Sequence, residues 1–227
     1  MLQEKAIVVT GASGALGKVV ADIALARGAR IAAVDFAAAK VQATPRRLDL
    51  GSIDLTDAVQ AKRAIDAAAS HFGRLDALIN IAGGFAFETV IEGDPKTWQR
   101  MIALNVTTAL NASRAAIPHL LASPAARIVN IGALGALQAA SGMGAYAASK
   151  SGVHRLTEAL AAEHKGRITV NAVLPSIIDT EANRASMPKA DFSRWVSPQE
   201  LAEVILFLAS DAASALTGAL IPVTGRV

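Results

Sequence analysis

The stretch that most constrains the fold lies within the first thirty-five residues. AIVV, Ala6 to Val9, is a short apolar run; TGASGALG, Thr10 to Gly17, follows it; KVVADIALARGA then shows helical periodicity. A buried strand that passes through glycines into a helix is a phosphate-binding arrangement. Glycines let the backbone turn tightly and approach a phosphate, and the helix N-terminus offers unpaired N–H donors. Glycine trios also occur by chance, so the turn alone is a weak signal. Asp35 strengthens it by ending the next apolar run, 18 residues after Gly17. An acidic side chain there accepts hydrogen bonds from the ribose of an adenosine and repels a 2′-phosphate, which favours NAD over NADP. Arg46 and Arg47 weigh the other way. Ala15 stands where the commonest form of the turn has a glycine; Gly11, Gly14 and Gly17, spaced three apart, supply an alternative frame.

The rest of the chain repeats the strand–helix alternation. Strands are expected near 5–10, 30–35, 47–50, 75–80, 126–132, 167–173 and 219–223, with helices near 15–28, 56–72, 95–122, 144–164 and 198–210. Continuous apolar runs such as IAAV and ALINI suit strands buried on both faces. The pattern predicts one doubly wound α/β domain over 1–227, a parallel sheet with helices on both faces. Asp94-Pro95 and Ser197-Pro198, the latter with Glu200 at capping-box spacing, mark two helix starts. Residues 176–197 lack strong periodicity and follow a strand at the sheet edge where ligands bind, so they are expected to form a substrate loop or lid.

Composition narrows the chemistry. The 227 residues include no cysteine, which removes disulfides, thiolate catalysis and cysteine metal sites. His71, His119, His154 and His164 show no ligand spacing, so no metal is expected. The net charge of +3 is spread without a basic block, which argues against a nucleic-acid partner. A strand begins almost at once, so no signal peptide is expected, and no apolar run reaches about eighteen residues, so no membrane partner is expected either. These readings leave a cytoplasmic enzyme or binding protein.

Tyr146 is the chain's one tyrosine, and Lys150 follows it four residues later on an expected helix, so the two share a face. A phenol is a poor base at its free pKa of about 10, but a neighbouring ammonium favours phenolate. Tyr146 is therefore expected to pass a proton to or from a substrate atom during hydride transfer, with Lys150 tuning it.

With these residues in place, the sequence resembles the short-chain dehydrogenase/reductase family along nearly its whole length. TGASGALG looks like the TGxxxGxG turn, NIAG (Asn80 to Gly83) like NNAG, YAASK (Tyr146 to Lys150) like YxxxK, and LPSIIDT (Leu174 to Thr180) like PGxxxT. The resemblance implies a Rossmann-type seven-stranded sheet. It assigns Gly11, Ser13, Gly14, Ala15, Leu16, Gly17, Asp35 and Phe36 to the adenosine and phosphates, and Asp54 and Leu55 to the adenine. Asn80, Ala82, Gly83, Tyr146, Lys150, Pro175, Ile178 and Thr180 go to the nicotinamide half. Asn105 joins Tyr146 and Lys150 as a catalytic residue, in a proton relay. It also implies a homodimer or homotetramer through the Ala-rich 95–122 and 144–164 helices.

The departures are informative. The family's catalytic serine falls 13 residues before the tyrosine, and here that position is Ala133. Ser141, on the same loop, is a candidate substitute. One branch, resembling dihydropteridine reductase, lacks that serine; it shares the GALG turn and the run DTEANRASMPKADFSRW, Asp179 to Trp195. This implies NADH and a quinonoid dihydropteridine-like substrate, with Phe85, Ala133, Ser141, Met187 and Trp195 along the substrate wall. A generic carbonyl reductase or alcohol dehydrogenase, and a non-catalytic cofactor-binding sensor or scaffold, are the alternatives.

Overall fold

The structure is a computed structural model that describes residues 2–39 and 43–227. Its strands are β1 (Ala6–Thr10), β2 (Arg30–Val34), β3 (Arg47–Leu50), β4 (Ala77–Asn80), β5 (Ala126–Ile131), β6 (Ile168–Pro175) and β7 (Leu220–Val223). The helices are α1 (Ala15–Ala26), α2 (Ala58–Phe72), α3 (Pro95–Ile102), α4 (Thr108–Leu120), α5 (Gly144–Glu163), α6 (Glu181–Ser186) and α7 (Pro198–Leu208). All strand pairings in the sheet are parallel, in the order β3-β2-β1-β4-β5-β6-β7. This is the expected Rossmann-type fold.

Both faces of the sheet are apolar because successive side chains of each strand point opposite ways. Ile7, Val9, Ile31 and Ile79 face α1 and α7, which contribute Leu16, Val20, Leu201 and Ile205. Ala6, Val8, Leu78, Ile128 and Val170 face α2, α4 and α5, which contribute Ile65, Phe72, Ala112, Ala116 and Leu160. Each fully buried Val, Leu or Ile stabilises by about 1.5–3 kcal/mol. The capping box at α7 forms as read: the Ser197 hydroxyl accepts from the Glu200 N–H at 3.1 Å, and the Glu200 carboxylate accepts from the Ser197 N–H at 2.9 Å.

Two segments differ from the sequence expectation. The single helix expected over 95–122 is divided by a π-helical turn, Ala103–Thr107, between α3 and α4. Its wider turn carries Asn105, and such insertions alter which way a side chain points. The 176–197 segment is an organised excursion: α6, a 3₁₀ turn at Phe192–Arg194, and a bridge between Ile178 and Val196 at its base. Its order comes from short-range caps, which leave no long periodicity to read.

From β1 the chain builds outward to β2 and β3, then returns to place β4 on the other side of β1. The crevice at this reversal opens at the carboxyl ends of β1 and β4.

Candidate active site

A cleft of about 590 Å³ occupies that crevice, lined by Gly11, Gly14 to Gly17, Asp35, Phe36, Ile53 to Thr56, Ile81 to Gly83, Leu104 and Thr108. Gly11 has φ +66°, and a Cβ there would lie 2.8 Å from the Ala82 nitrogen. A Cβ on Gly17 would lie 2.1 Å from the Gly11 carbonyl oxygen. Both glycines are therefore required for the backbone to close. Gly14 is different: φ is −73°, and a Cβ would be 3.4 Å from the nearest atom, the Gly11 carbonyl oxygen. The protein would accept a side chain there, so the bare backbone of Gly14 keeps space for whatever occupies the cleft. Ala15 opens α1 at the exposed rim and does not close the cleft.

The Thr10 hydroxyl accepts from the Ile81 and Ala82 N–H groups, both at 3.1 Å, and ties the ends of β1 and β4 together under the cleft. Asp35 accepts from the Ser13 N–H at 2.8 Å and the Ala37 N–H at 2.9 Å, which orients its carboxylate at the far wall. Arg46 is committed to the Leu25 and Ala29 carbonyls, and Arg47 to Asp49 and Asp22. Neither arginine lines the cleft. Asp54 accepts from the Thr56 hydroxyl at 2.7 Å, and Asn111 of α4 fastens the Leu55 and Thr56 carbonyls. A bare turn at a helix N-terminus, a carboxylate on the second strand and the exposed Phe36 ring fit an adenosine and its phosphates. The Asn80 side chain is elsewhere: it is buried in the core, donating to Ser113 Oγ at 3.2 Å and Asn130 Oδ1 at 2.8 Å. Its residue type suits that polar core cluster, so it supports the floor of the site from below.

Gly83 joins the cleft to Tyr146 and Lys150, the expected catalytic pair. A Cβ on Gly83 would lie 2.5 Å from Asn105 Oδ1 and 3.5 Å from Lys150 Nζ. Asn105 accepts from the Gly84 N–H and donates to the Gly84 carbonyl, both at 3.0 Å, and donates to Ser149 Oγ at 2.9 Å. Ser149 in turn donates to the Tyr146 carbonyl at 2.7 Å. Asn105 thus ties the β4 loop to α5 directly. Ser149, not among the residues expected in the site, is part of this tie; its position inside YAASK is the sequence signal for it.

Tyr146 and Lys150 lie one turn apart on α5, as expected. Burial pushes the Tyr146 phenol up to about 12 and the Lys150 ammonium down to about 8. The expected pull of Lys150 toward phenolate is not expressed, because Nζ donates instead to the Ile131 carbonyl at 2.8 Å and desolvation dominates both groups. Tyr146 is therefore held as a neutral phenol, a form able to donate a proton. The exposed Phe85 ring meets it edge to face at 4.9 Å.

Beyond this pair, Ala133 is buried at the end of β5, and its N–H donates to His154 Nε2 at 3.3 Å. Phe87 covers Gly142, where a Cβ would lie 2.4 Å from the ring, and the Glu88 N–H donates to the Gly142 carbonyl at 2.9 Å. These contacts join the loops after β4 and β5. Ser141 beside them is exposed. Pro175 ends β6 in register with Val223. The Thr180 hydroxyl caps α6 by accepting from the Asn183 N–H at 3.2 Å. Met187 is half-buried at the end of α6, and Trp195 is buried against Phe192 at 4.8 Å. The Arg184 guanidinium holds Asp179 with two hydrogen bonds and lies 4.9 Å over the Phe192 ring, bracing the excursion internally.

Among known proteins, the short chain dehydrogenase family matches residues 5–191. Across 99% of its length the chain is 32% identical to 2-(S)-hydroxypropyl-CoM dehydrogenase 3 of Xanthobacter autotrophicus, of which 96% is covered. It is similar in structure to carveol dehydrogenase from Mycobacterium avium in complex with NAD, with 28% identity, a TM-score of 0.85, and coverage of 98% of this chain and 97% of that one. It is also similar to 3-ketoacyl-(acyl-carrier-protein) reductase from Brucella melitensis complexed with NADH, with 27% identity, a TM-score of 0.87, and coverage of 100% and 99%.

Proposed function

This chain belongs to the short chain dehydrogenase family and is a nicotinamide-dependent oxidoreductase, and we propose that it is a cytoplasmic, NADH-dependent reductase of a quinonoid, dihydropteridine-like substrate. The observation that carries this reading is the end of β5. Ala133 offers no hydroxyl there, and its N–H is occupied by His154.

A carbonyl reduced through an alkoxide gains strongly from a second hydrogen-bond donor; losing one costs about 2.7–4 kcal/mol in the transition state. A quinonoid ring gains a hydride and one proton and becomes neutral, without concentrating charge on one oxygen, so a single proton donor suffices. Tyr146 supplies that proton from its half-buried, neutral phenol. Lys150 stands one turn away to return it, and Asn105 and Ser149 hold α5 in place against the β4 loop. Phe85, beside the phenol, offers a flat apolar wall for a planar ring. The resemblance of Asp179 to Trp195 to the serine-lacking branch supports the same substrate class.

For the cofactor, Gly11, Ser13, Gly14 and the start of α1 hold the phosphates, Asp35 and Phe36 the adenosine, and Ala82, Gly83, Ile178 and Thr180 the nicotinamide. When bound, the nicotinamide supplies the hydride. NADH is favoured over NADPH because Asp35 is aimed at the cleft while Arg46 and Arg47 are committed elsewhere. Residues 176–197 serve as the lid, and α3, α4 and α5 form the contact of a homodimer or homotetramer.

The names of the relatives favour a second reading, a carbonyl reductase or alcohol dehydrogenase. NADH oxidation measured with quinonoid dihydropterin and with simple ketones separates the two. Faster turnover of the dihydropterin is expected; no turnover of it at high enzyme concentration, with turnover of ketones, overturns the proposal.

A further inference from the structure

Tyr146, Lys150 and His154 are spaced four apart on α5 and lie along one face of it. The proposed chemistry uses the first two and leaves the third without a role. His154 is 2% exposed. Its Nε2 accepts from the Ala133 N–H at 3.3 Å, while Lys150 Nζ donates to the Ile131 carbonyl at 2.8 Å. Both side chains therefore hold the same short piece of backbone where β5 ends. The residue between, Gly132, makes room for the ring: a Cβ there would lie 2.5 Å from His154 Nε2, 2.7 Å from its Cδ2 and 3.1 Å from Leu174 Cδ1.

We propose that His154 is a positioning residue for the reduction, a neutral imidazole that clamps the Ala133 amide and so fixes the strand end that holds Lys150 beside Tyr146. The role in turnover rests on the reductase reading above; the clamp itself does not. An Nε2 that accepts requires the ring proton to sit on Nδ1. Protonation would give both nitrogens a hydrogen, remove the acceptor and open the clamp. Burial holds the His154 pKa below its ordinary value, and the positive charges of Arg155 and Lys150 on the same helix act in the same direction. The backbone of Ile131 to Ala133 and the Leu174 side chain, which pack on it from the sheet, bring no charge. The clamp therefore stays closed through neutral pH and opens in acid.

Two measurements test this on the full chain. In ¹⁵N-histidine NMR, with and without NADH, His154 is expected as the Nδ1–H tautomer, titrating below the ordinary histidine range. An Nε2–H tautomer, or ordinary titration, overturns the clamp whatever the substrate. In turnover of quinonoid dihydropterin, His154→Leu is expected to lower kcat roughly tenfold or more, since small misplacements of a reacting geometry are costly, with the NADH Kd changed by less than about twofold. His154→Gln, whose amide oxygen can accept from the Ala133 N–H, is expected to recover kcat to within about threefold and to lose the acid limb that His154 imposes on the pH profile. Gly132→Ala, which displaces the ring without changing a residue of α5, is expected to reproduce the Leu effect and carries the test where His154→Leu does not fold. Wild-type kcat and pH profile in His154→Leu or Gly132→Ala, or no recovery in His154→Gln, overturn the positioning role. Failure of the wild type to reduce the dihydropterin overturns the reductase reading alone, and the NMR still decides the clamp.

Discussion

The two ends of the site are held together by different physics. At the cofactor end, backbone packs against backbone: Gly11 against Ala82, Gly17 against Gly11, with no room for a Cβ at either. At the proposed catalytic end, side chains reach across the fold to grip backbone: Lys150 to Ile131, His154 to Ala133, Asn105 to Gly84. The first kind of contact is steric and admits one residue type. The second is a hydrogen bond, which several residue types can make, so its importance is visible only when donor and acceptor are seen together. The same contrast governs how each end fails: the first when atoms are added, the second when a polar group is removed or its protonation changes.

The largest effect is expected from removing the proton donor. Tyr146→Phe should lower kcat by about 10²–10⁴-fold, the usual worth of general acid catalysis, while NADH still quenches intrinsic fluorescence with nearly unchanged affinity. Full turnover in this variant would remove Tyr146 from the chemistry. Next come the glycines, which test the steric half directly. Gly17→Ala should destabilise by about 1–3 kcal/mol and abolish measurable NADH binding, because the backbone of Gly11 and Ala12 lies within 2.8 Å of the added methyl. Gly14→Ala should fold with a stability change of less than about 1 kcal/mol yet weaken NADH binding. Equal losses of stability in the two would break the distinction between a glycine the fold requires and one the cleft requires.

The buried amine of Lys150 makes a pH prediction. Its pKa is about 8 in the folded chain against an ordinary 10.5. Between those values the unfolded chain binds more protons, so stability rises with pH across that window, by up to roughly 3 kcal/mol. Tyr146 opposes this from about pH 10 upward: its folded pKa is about 12 against 10.0, so there the folded chain holds the extra proton and stability falls. Urea unfolding between pH 7 and 10 should show the rise in the wild type and a flat profile in Lys150→Met. A rise that persists in Lys150→Met would place the titrating group elsewhere. The smallest effect is expected at Asp35, where loss of one carboxylate should reduce the preference for NADH over NADPH by about tenfold, read as the ratio of kcat/KM values. An unchanged ratio in Asp35→Ala would contradict its role in cofactor choice.

The sequence is most legible where one physical requirement dominates. The apolar run ALINI marks β4, observed at Ala77–Asn80 and buried along its whole length. Ser197, Pro198 and Glu200 marked the start of α7, because a helix N-terminus needs those groups locally. The π turn was not legible: ALNVT has ordinary helix formers, and the extra residue in the turn is favoured by contacts of Asn105 with Gly84 and Ser149, 21 and 44 residues away. Asn80 was placed in the nicotinamide half through NIAG, but its side chain enters the core, where Asn130 and Ser113 receive it. The roles of Ser149 and His154 are not legible for the same reason: a helical serine or histidine acquires meaning from the partner it meets across the fold.

What the amino-acid sequence determined by itself is the alternation of strand and helix, the parallel sheet that follows from it, and the glycine turn that opens the cleft. Periodicity, capping and the absence of a Cβ act over a few residues, and the chain carries them in order. Tertiary structure alone decided the protonation and alignment of Tyr146 and Lys150. Burial raises Tyr146 and lowers Lys150, and the hold on Ile131 to Ala133 is set by α5 lying against the end of β5. Desolvation and long-range hydrogen bonds depend on what the rest of the chain places around a group, and that exists only once the sheet and its helices have packed.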